Sequence, residues 1–414
     1  MPELTPHYHW LLPEAHQLSE ATIADAKRRG LSARALRVLS RRGPVDPAEL
    51  ASRFDAPEAG LHDPGQLPDA DAMRERVARA RATADSVLVL GDFDADGLTG
   101  LAILTLALRR LGLVVEPYVP DRTGEGHGLS LAAVERARAG GHALVITADT
   151  GSSSVEEVRA ARAWGIDVIV TDHHVLTATR PEALALVNPQ RDDSAYPDRR
   201  LSGAGVAFKV AQLLLDETPE DREAALALAD LAAVGSIADV VPIAGENRSI
   251  VRLGLARLES APRPGLAALM RRARVERDGI STDDISFGLA PRINAMGRIG
   301  DPTLAARLLL APDEESAGPL ADEIEAANRR RRELTASAMS EAREQLATSA
   351  EAAFVVLVGD WPVGVIGLVA GRVAEETGRP TLVLSSSVDP WRGSARSAGG
   401  VDLAAAFASC SDLF

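Results

Sequence analysis

The sequence predicts an α/β protein: a mainly parallel sheet flanked by helices, then a long connecting helix and a smaller, partial α/β domain. Three apolar runs carry the first part of this expectation, and each ends on an aspartate. They are Ser86-Val-Leu-Val-Leu-Gly-Asp92, Ala143-Leu-Val-Ile-Thr-Ala-Asp149 and Asp167-Val-Ile-Val-Thr-Asp172. Short β-branched and Leu-rich runs of this kind, separated by helical patterns, read as buried parallel strands. The second observation is the alternation itself, strand then helix, from about residue 75 to 260. The third is the stretch 312–348, rich in Ala, Glu, Arg and Leu, with no Gly after Gly318 and no Pro after Pro319.

Taken in order, residues 1–74 read as an N-terminal arm with two short helical stretches and a Pro/Gly/Asp-rich segment over 55–71. Helices are expected at 73–83, 98–111, 130–139 and 155–164, and a further strand at 114–119. Leu320, Ile324, Leu334, Ala338, Ala342 and Leu346 form one helical stripe. A helix that long suits a connector between two domains. Strands at 352–358 and 380–384, with a helix at 365–376 between them, open the second domain. The expected units are therefore 1–74, a catalytic domain over 75–311, the connector 312–349, and a short domain over 350–414.

Composition narrows the function. A single cysteine, Cys410, excludes a disulfide framework and a Cys-rich zinc site, and fits a reducing compartment. There is neither a secretory pattern nor an apolar run of the roughly 18 residues needed to span a bilayer, so a cytoplasmic protein without a membrane partner is expected. The net charge of −14 argues against a surface of overall positive potential but permits a local basic groove.

Ligands of open α/β sheets bind at the carboxyl ends of the strands. Asp92, Asp94 and Asp96 on one turn, Asp149 on another, and Asp172-His173-His174 on a third would crowd carboxylates and imidazoles there. Their mutual repulsion calls for a bound cation. The first turn matches the opening of an EF-hand calcium loop, but position twelve is Ile103 where a Glu is required, and a strand precedes the loop. Mixed carboxylate and imidazole donors favour Mn²⁺, with Mg²⁺ as the alternative, in one or two ions. Asp239, at the end of another apolar stretch, is a further candidate. Gly203-Ala-Gly205 lacks the third Gly of a dinucleotide fingerprint and follows a loop, so it reads as a tight turn supporting the site. Two Arg motifs, Pro291-Arg-Ile-Asn294-Ala-Met-Gly297-Arg298 and Gly393-Ser394-Ala-Arg396-Ser397, mix Gly, small polar groups and Arg in a way that suits phosphate capture; a polar turn with a surface Arg is the alternative. Arg329 to Arg332 reads as a solvated helix face.

These motifs together resemble the DHH phosphoesterases, and within them the RecJ-type single-strand-specific 5′→3′ exonucleases. The matching blocks are 92–100, 148–151, 171–174 and 203–209, followed by 235–243, 245–248, 292–298, 361–367 and 393–397. The resemblance implies that Asp92, Asp94, Asp149, His173 and Asp239 hold the metal, with Asp149 central. Asp96, Asp172 and His174 join them in the catalytic set, His174 toward the phosphate. It implies that Ser394, Arg396 and Ser397, with Arg298 and Asn294, bind substrate, the first two at the 5′-terminal phosphate. Single-stranded DNA with a 5′ end is the implied partner, along with a single-strand-binding protein and a helicase, for a monomeric enzyme of repair and recombination. A Gly-Gly-His motif and an OB-fold are also implied but do not occur before Phe414, so the second domain is expected to be short. The usual aromatic of the loop at 125–129 is here His127, which weakens base stacking.

Phosphodiester hydrolysis requires a barrier lower by roughly 20 kcal/mol. One general base contributes about 10²–10⁴-fold, and metal assistance can supply much of the rest. Two alternatives remain: a phosphoesterase of short oligonucleotides or cyclic dinucleotides, and a non-catalytic DNA-binding relative. The intact carboxylates and the blocks after residue 235 argue against them.

Overall fold

The structure, a computed structural model, describes residues 13–120, 125–177, 179–348 and 352–410. Five parallel strands form the larger sheet: β1 (Ser86–Gly91), β2 (Val114–Tyr118), β3 (Leu144–Ala148), β4 (Asp167–Thr171) and β5 (Ala185–Val187), in the order β2-β1-β3-β4-β5. Their apolar runs are continuous because both faces are covered. Val87, Val89, Ile146 and Ile169 face one core with helices Ala95–Arg110, Gly203–Leu214 and Ala229–Ala238. Leu88, Leu90, Val145, Val168 and Val170 face the other, under helices Leu131–Ala139 and Val155–Ala163. The three-residue β5 is absent from the sequence reading, being too short to show a period.

Among the described residues of the arm lie three α-helices rather than two, Glu20–Arg28, Ala33–Arg42 and Pro47–Phe54, around a small core of Ala26, Leu36, Val45 and Leu50. Each begins on a side-chain cap, from Ser19, Ser32 and Asp46 respectively, which satisfies an N–H left open by the first turn. The helix expected from residue 73 already starts at Ala70 and runs to Thr83.

The connecting helix Glu314–Thr348 has 35 residues and spans roughly 50 Å. Ala317, Leu320, Ala321 and Ile324 pack into the large core. Ala338, Met339 and Ala342 pack into a separate core with Val355, Leu357, Trp361, Val369, Val373 and Val383. That second core belongs to a three-stranded sheet of β6 (Val355–Gly359), β7 (Thr381–Ser385) and β8 (Arg392–Arg396), with helix Val363–Thr377 against it. β6 and β7 are parallel and β8 is antiparallel to β7, Ser394 opposite Val383. Among the described residues no helix is long and apolar enough to cross a membrane.

Candidate metal centre and phosphate cleft

Parallel register brings the acidic strand ends into one row. Each aspartate is the first residue beyond its strand and still bonds the neighbouring strand. Asp92 N donates to Ala148 O at 3.3 Å, Asp149 N to Thr171 O at 3.0 Å, and Asp172 N to Val187 O at 3.1 Å. Asp94 then caps helix Ala95–Arg110, accepting from the N–H groups of Asp96 and Gly97 at 3.0 Å each. Asp239 arrives from outside the sheet, at the C-terminus of helix Ala229–Ala238. The residue after it, Val240, is 84% exposed and held at φ +61°, a conformation costly for a β-branched side chain.

Ligand atoms of Asp92, Asp94 and Asp149 lie within 4.8 Å of one another, as do those of Asp149, His173 and His174, and those of Asp96, His173 and Asp239. His173 Nε2 stands 3.1 Å from Asp149 Oδ1, 3.7 Å from Asp239 Oδ2 and 3.8 Å from Asp96 Oδ2. The two imidazoles diverge. His173 points in among the carboxylates, while His174 is half exposed. Asp172 is not in the cluster face. Its Oδ1 accepts from His173 N at 2.7 Å, His174 N at 3.2 Å and His174 Nδ1 at 2.7 Å, and its Oδ2 from Ser152 N at 2.9 Å. It orients both histidines from behind.

Asp96 borders the cluster, its Oδ2 3.8 Å from His173 Nε2, but is tied to the next helix. Its two oxygens accept from Gly203 N at 2.7 Å and Ala204 N at 2.9 Å. The Gly203-Ala-Gly205 segment is therefore not a turn but the start of helix Gly203–Leu214, capped by Ser202, whose hydroxyl accepts from Gly205 N at 3.0 Å. Gly203 is required because a Cβ there would fall 2.4 Å from Asp149 Cβ. Its neighbour Asp149 itself adopts φ +61°.

The electrostatics are those of a site short of positive charge. Burial, reinforced by the carboxylates of Asp96 and Asp94, raises Asp149 well above the usual range. Burial and then Asp239 and Asp94 push Asp96 up to about 8. Burial also raises Asp239 and lowers His173. Asp172 goes the other way: its burial opposes ionisation, but the hydrogen bonds from His174 and Ser152 outweigh it and hold the group at about 2. The same hydrogen bond raises His174 to about 9. Asp149 Oδ1 is buried with no hydrogen bond and converges with His173 Nε2 on a common point. Such a donor set fits a divalent cation with mixed oxygen and nitrogen ligands.

Beside this cluster a cleft of about 250 Å³ separates the two sheets, walled by Asp92, Phe93, Asp94 and His127 on one side and by Gly367, Gly393, Ser394 and Arg396 on the other, with Asn294 and Arg298 between. Asn294 Oδ1 accepts from Ala95 N at 2.7 Å, which ties its helix to the Asp92 loop. Arg298 Nη1 donates to Gly364 O at 3.4 Å, and a Cβ on Gly364 would lie 1.9 Å from Arg298 O, so the two units touch here. The rings of Phe93 and His127 meet at a tilt of 50°, their centroids 4.8 Å apart. Ser394 and Arg396 share one face of β8 because strand side chains alternate. Ser397 does not reach the cleft. It falls past the end of β8, and its hydroxyl donates to Val401 O.

Comparison with known proteins agrees with this geometry. Residues 86–236 match the model of the DHH family, N-terminal domain. The single-stranded-DNA-specific exonuclease RecJ of Bacillus subtilis is 36% identical over 91% of this chain and 48% of its own length. That of Dickeya dadantii is 38% identical over 80% of this chain and 60% of its length, so the chain spans about half of these relatives. A crystal structure of exonuclease RecJ bound to manganese superposes with a TM-score of 0.73 at 35% identity, covering 84% of this chain and 86% of the other. RecJ of Thermus thermophilus in complex with Mn²⁺ gives 0.75 at 31% identity, over 95% of this chain and 54% of the other. The chain thus belongs to the DHH family, among its RecJ members.

Proposed function

We propose that this chain is the catalytic core of a metal-dependent 5′→3′ exonuclease that removes 5′-mononucleotides from single-stranded DNA. The observation that carries the reading is the adjacency of the Asp149–His173 cluster to a cleft whose far wall carries Ser394 and Arg396. In this reading residues 75–311 are the catalytic unit, 312–349 the connector and 350–414 the substrate-gripping unit, with 1–74 as an arm. Asp92, Asp94, Asp149, His173 and Asp239 hold one or two Mn²⁺ or Mg²⁺ ions. A divalent cation there supplies Lewis-acid polarisation of the scissile phosphodiester and activation of water. Asp172 holds His174 protonated, so that it can donate to a phosphate oxygen as charge develops. Asp96 keeps the helix at Gly203 pressed against Asp149.

Arg298, Ser394 and Arg396 take the 5′-terminal phosphate through guanidinium and hydroxyl donors, and Asn294 fixes the loop between phosphate and metal. A narrow cleft between the two units would admit a single strand and exclude a duplex. Within a cell this activity belongs to DNA repair and recombination in the cytoplasm, where a helicase and a single-strand-binding protein would supply the monomeric enzyme with its substrate.

The test is degradation of long 5′-phosphorylated single strands with Mn²⁺, compared with a dinucleotide, for the wild type and Asp149→Ala. Mononucleotide release from the long strand, lost in the variant while the fold survives, is expected. Preference for the dinucleotide would favour a small-substrate phosphoesterase. Undiminished cleavage by Asp149→Ala would refute the assigned site.

A further inference from the structure

The connecting helix changes character at its middle. Its buried positions are apolar up to Ile324 and again from Ala338, but between them lie Asn328, 3% exposed, and Thr335, 1% exposed, with Arg331 half-buried beside them. Here the helix crosses both helix Ala290–Ile299 of the first unit and helix Val363–Thr377 of the second. Three more guanidiniums act on Arg331 through their charge: Arg372 from the second unit and Arg332 from the connector, both exposed, and Arg292 from the first unit. The one carboxylate paired with this group is Glu325, 2.6 Å from Arg292. Arg331 Nη2 donates to Asn328 Oδ1 at 2.9 Å, and its Nε is buried with no hydrogen-bond partner. Among the described residues no carboxylate lies within 4.0 Å of Arg331, Arg332 or Arg372.

This arrangement is unfavourable as it stands. Like charges repel more strongly where burial reduces screening, and a desolvated guanidinium donor without an acceptor is costly. The chain has 59 acidic residues against 45 basic ones, yet among the described residues only Glu325 is ion-paired with this group, and Glu376, close enough to feel the charge of Arg372, is bonded to Arg343 at 2.6 Å. The sequence reading of residues 329–332 as a solvated face therefore fails at Arg331, which turns inward to meet arginines from both units.

We propose that Arg292, Arg331, Arg332 and Arg372 form a second phosphate-binding site, at the crossing of the connecting helix with the two units. Planar guanidiniums match phosphate oxygens in pairs. The site is distinct from the cleft. Asn294, Gly297 and Arg298 turn toward the cleft, whereas Arg292 leaves the same helix on another side, toward Glu325. A phosphate held here touches all three segments and sets the spacing of the two units. The ligand chemistry is a phosphate monoester or diester, free in solution or in a nucleic-acid backbone.

The test is calorimetric titration with inorganic phosphate of the wild type, Ser394→Ala/Arg396→Ala, and Arg331→Gln/Arg372→Gln. Two sites in the wild type and one in each variant are expected. A parallel titration with a long 5′-hydroxyl oligothymidylate distinguishes the sources. If the backbone is the ligand, Arg331→Gln/Arg372→Gln weakens binding about tenfold and reduces the salt slope by about 0.7 for each phosphate no longer neutralised. If the ligand is free phosphate, only the inorganic titration changes. Abolition of all phosphate binding by Ser394→Ala/Arg396→Ala, or two sites persisting in Arg331→Gln/Arg372→Gln, overturns the proposal. Two sites persisting in Ser394→Ala/Arg396→Ala with one lost in Arg331→Gln/Arg372→Gln supports it and counts against the cleft assignment instead. The single variant Arg372→Gln, at an exposed position, gives the same reading should the double variant not fold.

Discussion

Gly203→Ala is the sharpest perturbation available, because it tests the geometry of the metal cluster without removing a ligand. The added Cβ would stand 2.4 Å from Asp149 Cβ, 2.5 Å from Oδ1 and 2.6 Å from Cγ. Carbon atoms in contact keep roughly 3.5–4.0 Å apart, so the separation must open by about 1.1–1.6 Å. The helix cannot easily yield. Gly203 N and Ala204 N are bonded to Asp96, Gly205 N to Ser202, and Ser202 Oγ to Ser236 Oγ at 2.9 Å. Rotation about χ1 leaves Asp149 Cβ in place, so the Asp149 backbone must shift and carry its carboxylate with it, which opens the 3.1 Å approach of Oδ1 to His173 Nε2. A misplacement of about 1 Å in a reacting constellation costs on the order of 10²-fold in rate, or about 2.7 kcal/mol of barrier. Overpacking destabilises the fold by about 1–3 kcal/mol in addition. The assay is the Mn²⁺-dependent rate on single-stranded DNA together with the urea midpoint. Gly205→Ala is the control: its Cβ meets nothing nearer than 3.4 Å, and it should stabilise the helix by up to about 1 kcal/mol without changing the rate. If Gly203→Ala cleaves within a few-fold of wild type, the reasoning that Asp149 needs this glycine is wrong.

Asp172→Asn should lower activity or metal affinity by about 10–100-fold, since it weakens the acceptor for His174 Nδ1 at 2.7 Å; metal titration and steady-state rates check this. Arg396→Ala should reduce the preference for 5′-phosphoryl over 5′-hydroxyl strands by about 10–100-fold, the worth of a charged hydrogen bond, read as the ratio of kcat/KM values. Tyr196→Phe tests a buried network away from the metal. Burial and then the charge of Glu246, which accepts from the phenol at 2.6 Å, hold Tyr196 above its ordinary value of 10.0. The stabilisation is complete below that value and is lost as pH rises beyond it. The variant should therefore be about 1–2 kcal/mol less stable at neutral pH and lose less stability on raising the pH past 10.0, as urea melts at both pH values would show.

The strand ends were legible because parallel strands buried on both faces write their runs openly in the sequence. Asp92, Asp149 and Asp172 needed nothing more than the end of each run. Asp239 was harder: alone it is a helix end, and only packing of helices Ala229–Ala238 and Ala95–Arg110 brings it toward His173. β8 was hidden because Arg-Gly-Ser-Ala-Arg has no strand-like alternation of polarity. It is an edge strand paired on one side only, to β7. The glycines at 203 and 205 suggested a turn because a short-range reading sees their flexibility and not the carboxylate of Asp96, 107 residues earlier, that accepts the N–H of Gly203. Arg331 escaped for the same reason: its surroundings come from three helices, and its own periodicity on the connector does not reveal them.

The Asp-Phe-Asp-Ala-Asp-Gly motif shows how one short segment can serve several structural roles. Asp92 ends a strand, where alternation governs direction, and Asp94 follows two residues on, so both remain on the cluster side. Asp94 also caps the helix, and from there the period becomes 3.6. The side chain of Asp96, two residues into that helix, is carried round to the next helix and holds its N-terminus, where a carboxylate is favoured. Gly97 completes the motif because a Cβ there would come within 2.6 Å of Asp92 N and O. Three aspartates at the same spacing thus divide into two on the strand side of the cluster and one that borders it at His173 while holding the supporting helix in place. The division follows from the change of backbone period at Asp94: within one strand all three would share a face, and within one helix the first and third would pair instead of the first and second.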